Sequence, residues 1–205
     1  MDAVEKIAEI RAKIDLAKSQ GRTPFGVDGH RWRLNDPIGA AELAAVERHY
    51  AVRLPEDYRA FLLGVGNGGA GPAYGMFSLE AGIECFREDP PAHCLSDEFP
   101  FKAYYNPVED ETLVARQGRG GGGELGEDEF ERLLDRMDYG TLVVGHEGCG
   151  HMHRMVVTGP ARGQVWIDSA GSDKGYLPLG ICFVEWYERW IDGVLAGNDG
   201  TWWFG

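Results

Sequence analysis

In the first third of the chain, apolar side chains recur every three to four residues, which is the spacing of an amphipathic helix. This pattern predicts a helix over residues 3–18 that ends before Gly21. A second helix is predicted to open at Asp36 and Pro37, because aspartate supplies a capping group and proline suits a first helical turn. A third is predicted to begin at Pro55 and to present one apolar face, made of Tyr58, Phe61, Leu62 and Val65.

Three short segments in the last third of the chain have the pattern of strands. Strands are predicted over residues 141–144, 151–157 and 164–168, with a hairpin connection at 158–163. Three strands in close succession imply an antiparallel sheet. Residues 182–195 return to helical spacing, and their apolar face is expected to cover the sheet: Phe183, Trp186, Tyr187, Trp190, Ile191 and Val194. The pattern predicts one domain in which an antiparallel sheet is covered by helices.

Between residues 80 and 126 the periodicity breaks down. This stretch holds four prolines, an acidic excess and a glycine-rich run, and we expect it to form a partly ordered insertion. A further helix is predicted over 127–137. The expected organisation is an N-terminal helix and connector (1–29), a core domain with its insertion (30–195) and an aromatic tail (196–205).

The amino-acid composition indicates which kinds of partner the protein can bind. The 205 residues carry 20 basic and 33 acidic side chains, a formal charge of -13. This argues against a direct nucleic-acid ligand or an anionic membrane surface and favours a basic protein partner. No apolar run approaches the roughly 20 residues of a membrane span, and the first 20 residues lack the apolar core of a signal peptide, so a cytoplasmic location is expected.

The excess of negative charge is unevenly placed. Residues 80–111 carry nine acidic and two basic side chains, and residues 124–138 carry seven and two. One interpretation is a solvated acidic face, and the other is a docking surface for a basic partner. For the second, the predicted partner-binding residues are Glu127, Asp128, Glu129 and Glu131.

Histidine and cysteine cluster within eight residues, as His146, Cys149, His151 and His153. Imidazole and thiolate suit zinc, so these four are candidate metal ligands. A second hypothesis makes Cys149 a nucleophile with a nearby histidine as its base. The alternative to both is a glycine-rich turn with a buried cysteine and surface histidines, and on that reading no cofactor and no catalytic residue are expected.

The run from Leu54 to Gly69, LPEDYRAFLLGVGNGG, resembles the signature of the SUKH superfamily, which includes the fungal Smi/Knr cell-wall-synthesis regulator and many bacterial immunity proteins. The resemblance implies a single-domain α+β fold with a mixed or mainly antiparallel sheet flanked by helices, without catalytic or cofactor residues, and a role in binding proteins. In bacteria, that role would be to neutralise a polymorphic toxin by direct contact. The matching positions are Leu54, Pro55, Tyr58, Phe61, Leu62, Asn67 and Gly68, followed later by Gly148, Cys149, Gly150, Gly163, Val165, Trp166 and Asp168.

Three hypotheses about function follow. The first is a non-enzymatic immunity protein that binds a basic toxin domain. The second is a regulatory scaffold for cell-wall synthesis or signalling, acting through the insertion and the aromatic tail. The third is a zinc-dependent enzyme built on the histidine and cysteine cluster. A toxin gene next to this one favours the first hypothesis, whereas an isolated housekeeping locus favours the second; the oligomeric state is left open.

Overall fold

A computed structural model describes residues 3–85, 92–117 and 137–200. Short 3₁₀ turns lie at Pro107–Glu109 and Ala170–Ser172. The helices are α1 (Ala3–Ser19), α2 (Val27–His30), α3 (Ala40–His49), α4 (Glu56–Gly64), α5 (Leu79–Glu84), α6 (Glu111–Gln117) and α7 (Phe183–Leu195). The strands are β1 (Thr141–Gly148), β2 (His151–Val156), β3 (Gln164–Ser169) and β4 (Gly175–Cys182). Within these ranges, no helix is long and apolar enough to cross a membrane.

The four strands form one antiparallel sheet in the order β1-β2-β3-β4. The three predicted strands and the antiparallel arrangement are confirmed. The fourth strand was missed because Pro178 and Gly180 interrupt its alternation. It lies at the edge of the sheet, where a proline is tolerated because its missing N–H need not serve the strand ladder.

Helix α7 packs on one face of the sheet and also contacts α1 and α4. All six residues of its predicted apolar face are buried, which confirms that Trp186 and Trp190 belong to the core. Two ties fix the helix against the rest of the domain. The Asp57 carboxylate accepts a hydrogen bond from the backbone N–H of Val184 at 3.1 Å, and the Tyr187 hydroxyl donates to the carbonyl of Ala70 at 2.8 Å.

The second helix begins later than predicted, at Ala40 and not at Pro37. The backbone groups of residues 35–38 form hydrogen bonds with other parts of the chain instead. The backbone N–H of Ile38 donates to the carbonyl of Leu62 at 3.0 Å, and the carbonyl of Asp36 accepts from Asn67 at 3.2 Å. Because these groups hold the segment against the end of α4, the prediction of a cap at Asp36 was wrong.

The described parts of segment 80–126 contain regular structure and core residues. Helix α5 begins at Leu79, where the Ser78 hydroxyl accepts a hydrogen bond from the backbone N–H of Ala81. Leu95 is buried in the main core, and Phe99 is buried in a second cluster. The division into domain, insertion and tail stays a prediction.

That second cluster covers the sheet face opposite α7. Side chains that alternate along the strands point to it, so that Val165 packs into the main core while Trp166 packs into this one. The rings of Phe99 and Trp166 meet edge to face with centroids 5.1 Å apart. The sheet therefore has apolar cover on both faces, and its buried polar groups must find partners within the protein.

His30, at the end of α2, is a buried titratable group. Its Nδ1 accepts a hydrogen bond from the backbone N–H of Trp32 at 3.1 Å, and burial lowers the pKa of the ring to about 4. The unfolded chain binds a proton near pH 6.5. Between these values the unfolded state holds more protons, so stability is fully present above pH 6.5 and is lost as the pH falls towards 4.

We expect the stability of His30→Asn to depend less on pH in this range, because the amide oxygen can replace Nδ1 as acceptor without taking up a proton. Between pH 6.5 and 4.5 the wild type should lose about 2 kcal/mol more stability than the variant, a figure reduced for partial hydration of the ring. Urea unfolding at both pH values measures the difference. His49→Asn, at an exposed position, is the control. If His30→Asn and the wild type lose the same stability between the two pH values, His30 is not the group responsible.

Candidate functional site

The predicted partner-binding residues Glu127, Asp128, Glu129 and Glu131 lie outside the described residues, as does most of the helix predicted over 127–137. Their part in an interface stays a prediction. Candidate sites in the described ranges are the histidine and cysteine cluster, a buried charge network on the sheet, and a groove between α3 and α5.

The four candidate metal ligands surround the β1–β2 turn but have different neighbours. The His146 ring lies between the rings of Tyr74 and Phe77, with centroids 5.1 and 5.5 Å away. Cys149 is exposed at the turn, where it adopts a left-handed backbone with φ of 53°. Within the ranges that the structure describes, no three histidine, cysteine, aspartate or glutamate side chains are placed to hold a metal ion.

The other two histidines lie on the strand that follows. Nδ1 of His151 is 2.6 Å from the Ser169 hydroxyl. His153 is buried against the Trp186 ring, and its Nε2 is 2.5 Å from Oε1 of Glu147, which is also buried. His153, on the strand, is thus the buried member of the four and is paired with a glutamate, whereas Cys149 faces solvent. For these two residues this is the reverse of what the turn interpretation expected.

A buried charge network occupies the opposite face of the sheet. The guanidinium of Arg154 donates to Asp168 at 2.7 Å and to Asp138 at 2.9 Å, and the Tyr176 hydroxyl donates to Asp138 at 2.8 Å. Burial lowers the pKa of Arg154, but the charges of Asp138 and Asp168 outweigh it and the pKa is raised. Because the guanidinium is only 2% exposed, this network is a structural anchor of the sheet.

The groove between α3 and α5 is a surface cavity of about 200 Å³. Its floor is apolar, and Asn67 and Tyr50 contribute polar atoms to the lining. Three glutamates complete it, with Glu42 on α3 and Glu80 and Glu84 on α5. The floor residues are Ile38, Val46, Leu79 and Ile83.

Two close contacts fix the position of α5, which forms one wall of this groove. The side-chain oxygen of Asn67 accepts a hydrogen bond from the backbone N–H of Leu79 at 2.7 Å, where the helix begins. On its other side α5 lies directly against β1, and a Cβ atom built on Gly82 would stand 2.2 Å from the carbonyl oxygen of Val143. Glycine at position 82 is therefore what allows the helix to lie this close to the strand.

The three glutamates of the groove are exposed, and they form no ion pair with any part of the chain that the structure describes. The nearby Glu47, by contrast, is paired with Arg59. Glu80 and Glu84 are four residues apart on one helix, a spacing at which like charges repel. The groove thus combines apolar surface with negative charge that no described residue of the chain pairs with.

Sequence reasoning counted Glu80 and Glu84 only as members of an acidic window and did not single out Glu42. The i, i+4 spacing of the first two was a usable signal, because it places both carboxylates on the same side of a helix. The contribution of α3 was not visible, since it depends on how residues 35–38 bring that helix to α5.

A family model described as the SMI1 / KNR4 family (SUKH-1) matches residues 37–189, well over half of the chain. The chain belongs to the SMI1/KNR4 family (SUKH-1). Members of the SUKH family are generally non-catalytic immunity or regulatory proteins, and they typically bind partner proteins. No curated protein and no solved structure matches the chain.

The fold gives physical roles to the SUKH signature in this chain. Tyr58 and Phe61 of α4 are buried, with their rings against Phe183 of α7 at centroid distances of 4.6 and 5.1 Å. Gly68 adopts φ of 88°, and a Cβ there would lie 2.6 Å from the carbonyl oxygen of Phe77. The signature therefore joins α4, α7 and the groove into one unit.

We expect Asn67→Ala in this SUKH protein to destabilise the start of α5, because the backbone N–H of Leu79 loses its acceptor. The expected cost is about 1–2 kcal/mol in the free energy of unfolding. Chemical denaturation measures it, and amide hydrogen exchange should show the loss concentrated in α5. Asn35→Ala, which removes an exposed side-chain donor to the carbonyl of Asn67, is the matched control with a smaller effect.

Proposed function

We propose that this protein is a non-enzymatic binding module of the immunity type, which neutralises a basic toxin domain by direct contact in the cytoplasm. Family membership supports the general class, because SUKH proteins typically bind other proteins. The observation that carries the finer proposal is the groove between α3 and α5, where an apolar floor is surrounded by three carboxylates that form no ion pair with any described residue.

The charge of the chain agrees with this proposal. Many toxins that attack nucleic acids must themselves be basic, since they bind a polyanion. A protein with a formal charge of -13 is attracted to such a domain before contact, which raises the rate of encounter. Negative surface that the fold does not use for its own ion pairs is available for this purpose.

Toxicity rescue tests the proposal. The toxin domain encoded by the neighbouring gene is expressed in a sensitive host with and without this protein. We expect growth to be restored only when the protein is present, and we expect the two proteins to co-purify at low salt. Continued growth arrest together with no co-purification would sink the proposal.

A further inference from the structure

We propose that the groove between α3 and α5 receives one large apolar side chain of the partner, flanked in the partner sequence by arginine or lysine. This inference rests on the proposed function, since it assigns the groove to the face that meets the toxin domain. It goes further by naming the chemistry that the groove recognises and the residues that do so.

The size of the groove indicates a single side chain. Sites for small molecules and cofactors usually enclose about 300–1,000 Å³. The groove, at about 200 Å³, is smaller, and its floor offers four aliphatic side chains in place of convergent polar groups. A leucine or phenylalanine of a partner would bury its apolar surface there, in the way that interface anchors fill pockets.

The charges around the groove indicate what flanks that anchor. Carboxylates stand on both walls, Glu42 on α3 and Glu80 and Glu84 on α5, and among the residues that the structure describes no lysine or arginine lines the groove. A cation next to the anchor would also relieve the repulsion between Glu80 and Glu84. These three glutamates form the rim of the groove, and an acidic partner would bring like charges next to them. The groove therefore selects its partner by the sign of its charge as well as by shape.

The rim can be altered without disturbing the core. Glu42, Glu80 and Glu84 are exposed and make no ion pair within the described ranges, so replacing them removes charge without breaking an ion pair to any described residue. The chain also offers a matched control: Asp15, Asp97 and Glu98 are exposed, and none of them lines the groove. The reversals E42K/E80K/E84K and D15K/D97K/E98K change the net charge equally.

Two probes are titrated against the wild type and both variants at low and high salt. The first is a fluorescein-labelled peptide Lys-Arg-Phe-Arg-Lys, with one control in which phenylalanine is serine and another in which all four cations are glutamate. The second is the toxin domain encoded by the neighbouring gene. We expect saturable binding of the basic peptide to the wild type, at least tenfold weaker binding of either control peptide, and weakening by salt.

We further expect E42K/E80K/E84K to bind both probes at least tenfold more weakly than D15K/D97K/E98K does. The uncharged variant E42Q/E80Q/E84Q should lie between wild type and reversal, with an unchanged unfolding midpoint. Absence of saturable peptide binding to the wild type would overturn the inference. So would equal affinity of the toxin domain for wild type and groove variant, a result that leaves the proposed function standing. If the peptide binds as expected while the toxin domain binds no variant, the proposed function fails and the groove assignment survives.

Discussion

Replacing Arg154 with methionine is expected to destabilise the protein by about 3–5 kcal/mol, a large part of the total stability of an ordinary domain. The guanidinium is buried and hydrogen bonded to both Asp138 and Asp168. Its removal takes away the positive charge that faces the buried carboxylate of Asp168 and the partly buried carboxylate of Asp138, and that cost exceeds the gain from burying a methionine side chain. Urea unfolding at neutral pH measures the loss.

Two further variants separate the loss of charge pairing from the loss of packing. The triple variant R154M/D138N/D168N removes the uncompensated charges, so it should be clearly more stable than R154M alone. Arg189→Met, which removes an exposed pair with Glu185, should change the stability by less than about 1 kcal/mol. If R154M is as stable as the wild type, the network does not anchor the sheet.

Gly82→Ala is expected to cost about 3 kcal/mol and to weaken partner binding as well. An alanine Cβ would stand 2.2 Å from the carbonyl oxygen of Val143, so α5 must move away from β1. This steric cost outweighs the gain of about 1 kcal/mol that alanine brings to a helix. Because α5 carries Glu80 and Glu84, its displacement also changes the shape of the groove.

Gly193→Ala is the matched control within α7. Its nearest neighbour outside the helix would be a side-chain nitrogen of Asn198 at 3.7 Å, an ordinary contact, so alanine should stabilise the protein by about 0.5–1 kcal/mol. Thermal unfolding and affinity for the toxin domain are measured for both variants. Equal, small effects of the two substitutions would contradict the close seating of α5.

Much of the fold could be predicted from the sequence because its longest elements are strongly periodic. The apolar face of α7 recurs at helical spacing over its whole length, and β1, β2 and β3 are separated by short glycine-containing connections that are typical of hairpins. Predictions failed where tertiary contacts decide. The start of α3 depends on hydrogen bonds from residues 35–38 to the end of α4, and the edge strand β4 is hidden by Pro178 and Gly180.

The candidate site was harder to predict than the fold. Counting charge along the chain placed acidic windows but could not show which carboxylates lie beside an apolar surface. Glu42 and Glu84 are 42 residues apart, and their helices meet at one groove through tertiary contacts of residues 35–38, Asn67 and Gly82. The spacing of His146, Cys149, His151 and His153 suggested a metal site, yet spacing does not show that the two strand histidines have Ser169 and Glu147 as neighbours.

We propose that this SUKH protein neutralises a basic toxin domain by binding it directly. Calorimetric titration of the full chain with the toxin domain encoded by the neighbouring gene, at low and at physiological salt, tests it most directly. We expect a saturable one-to-one complex whose affinity falls as the salt concentration rises, because complementary charge contributes to binding. No heat of binding at low salt, confirmed by separate elution of the two proteins, would contradict it.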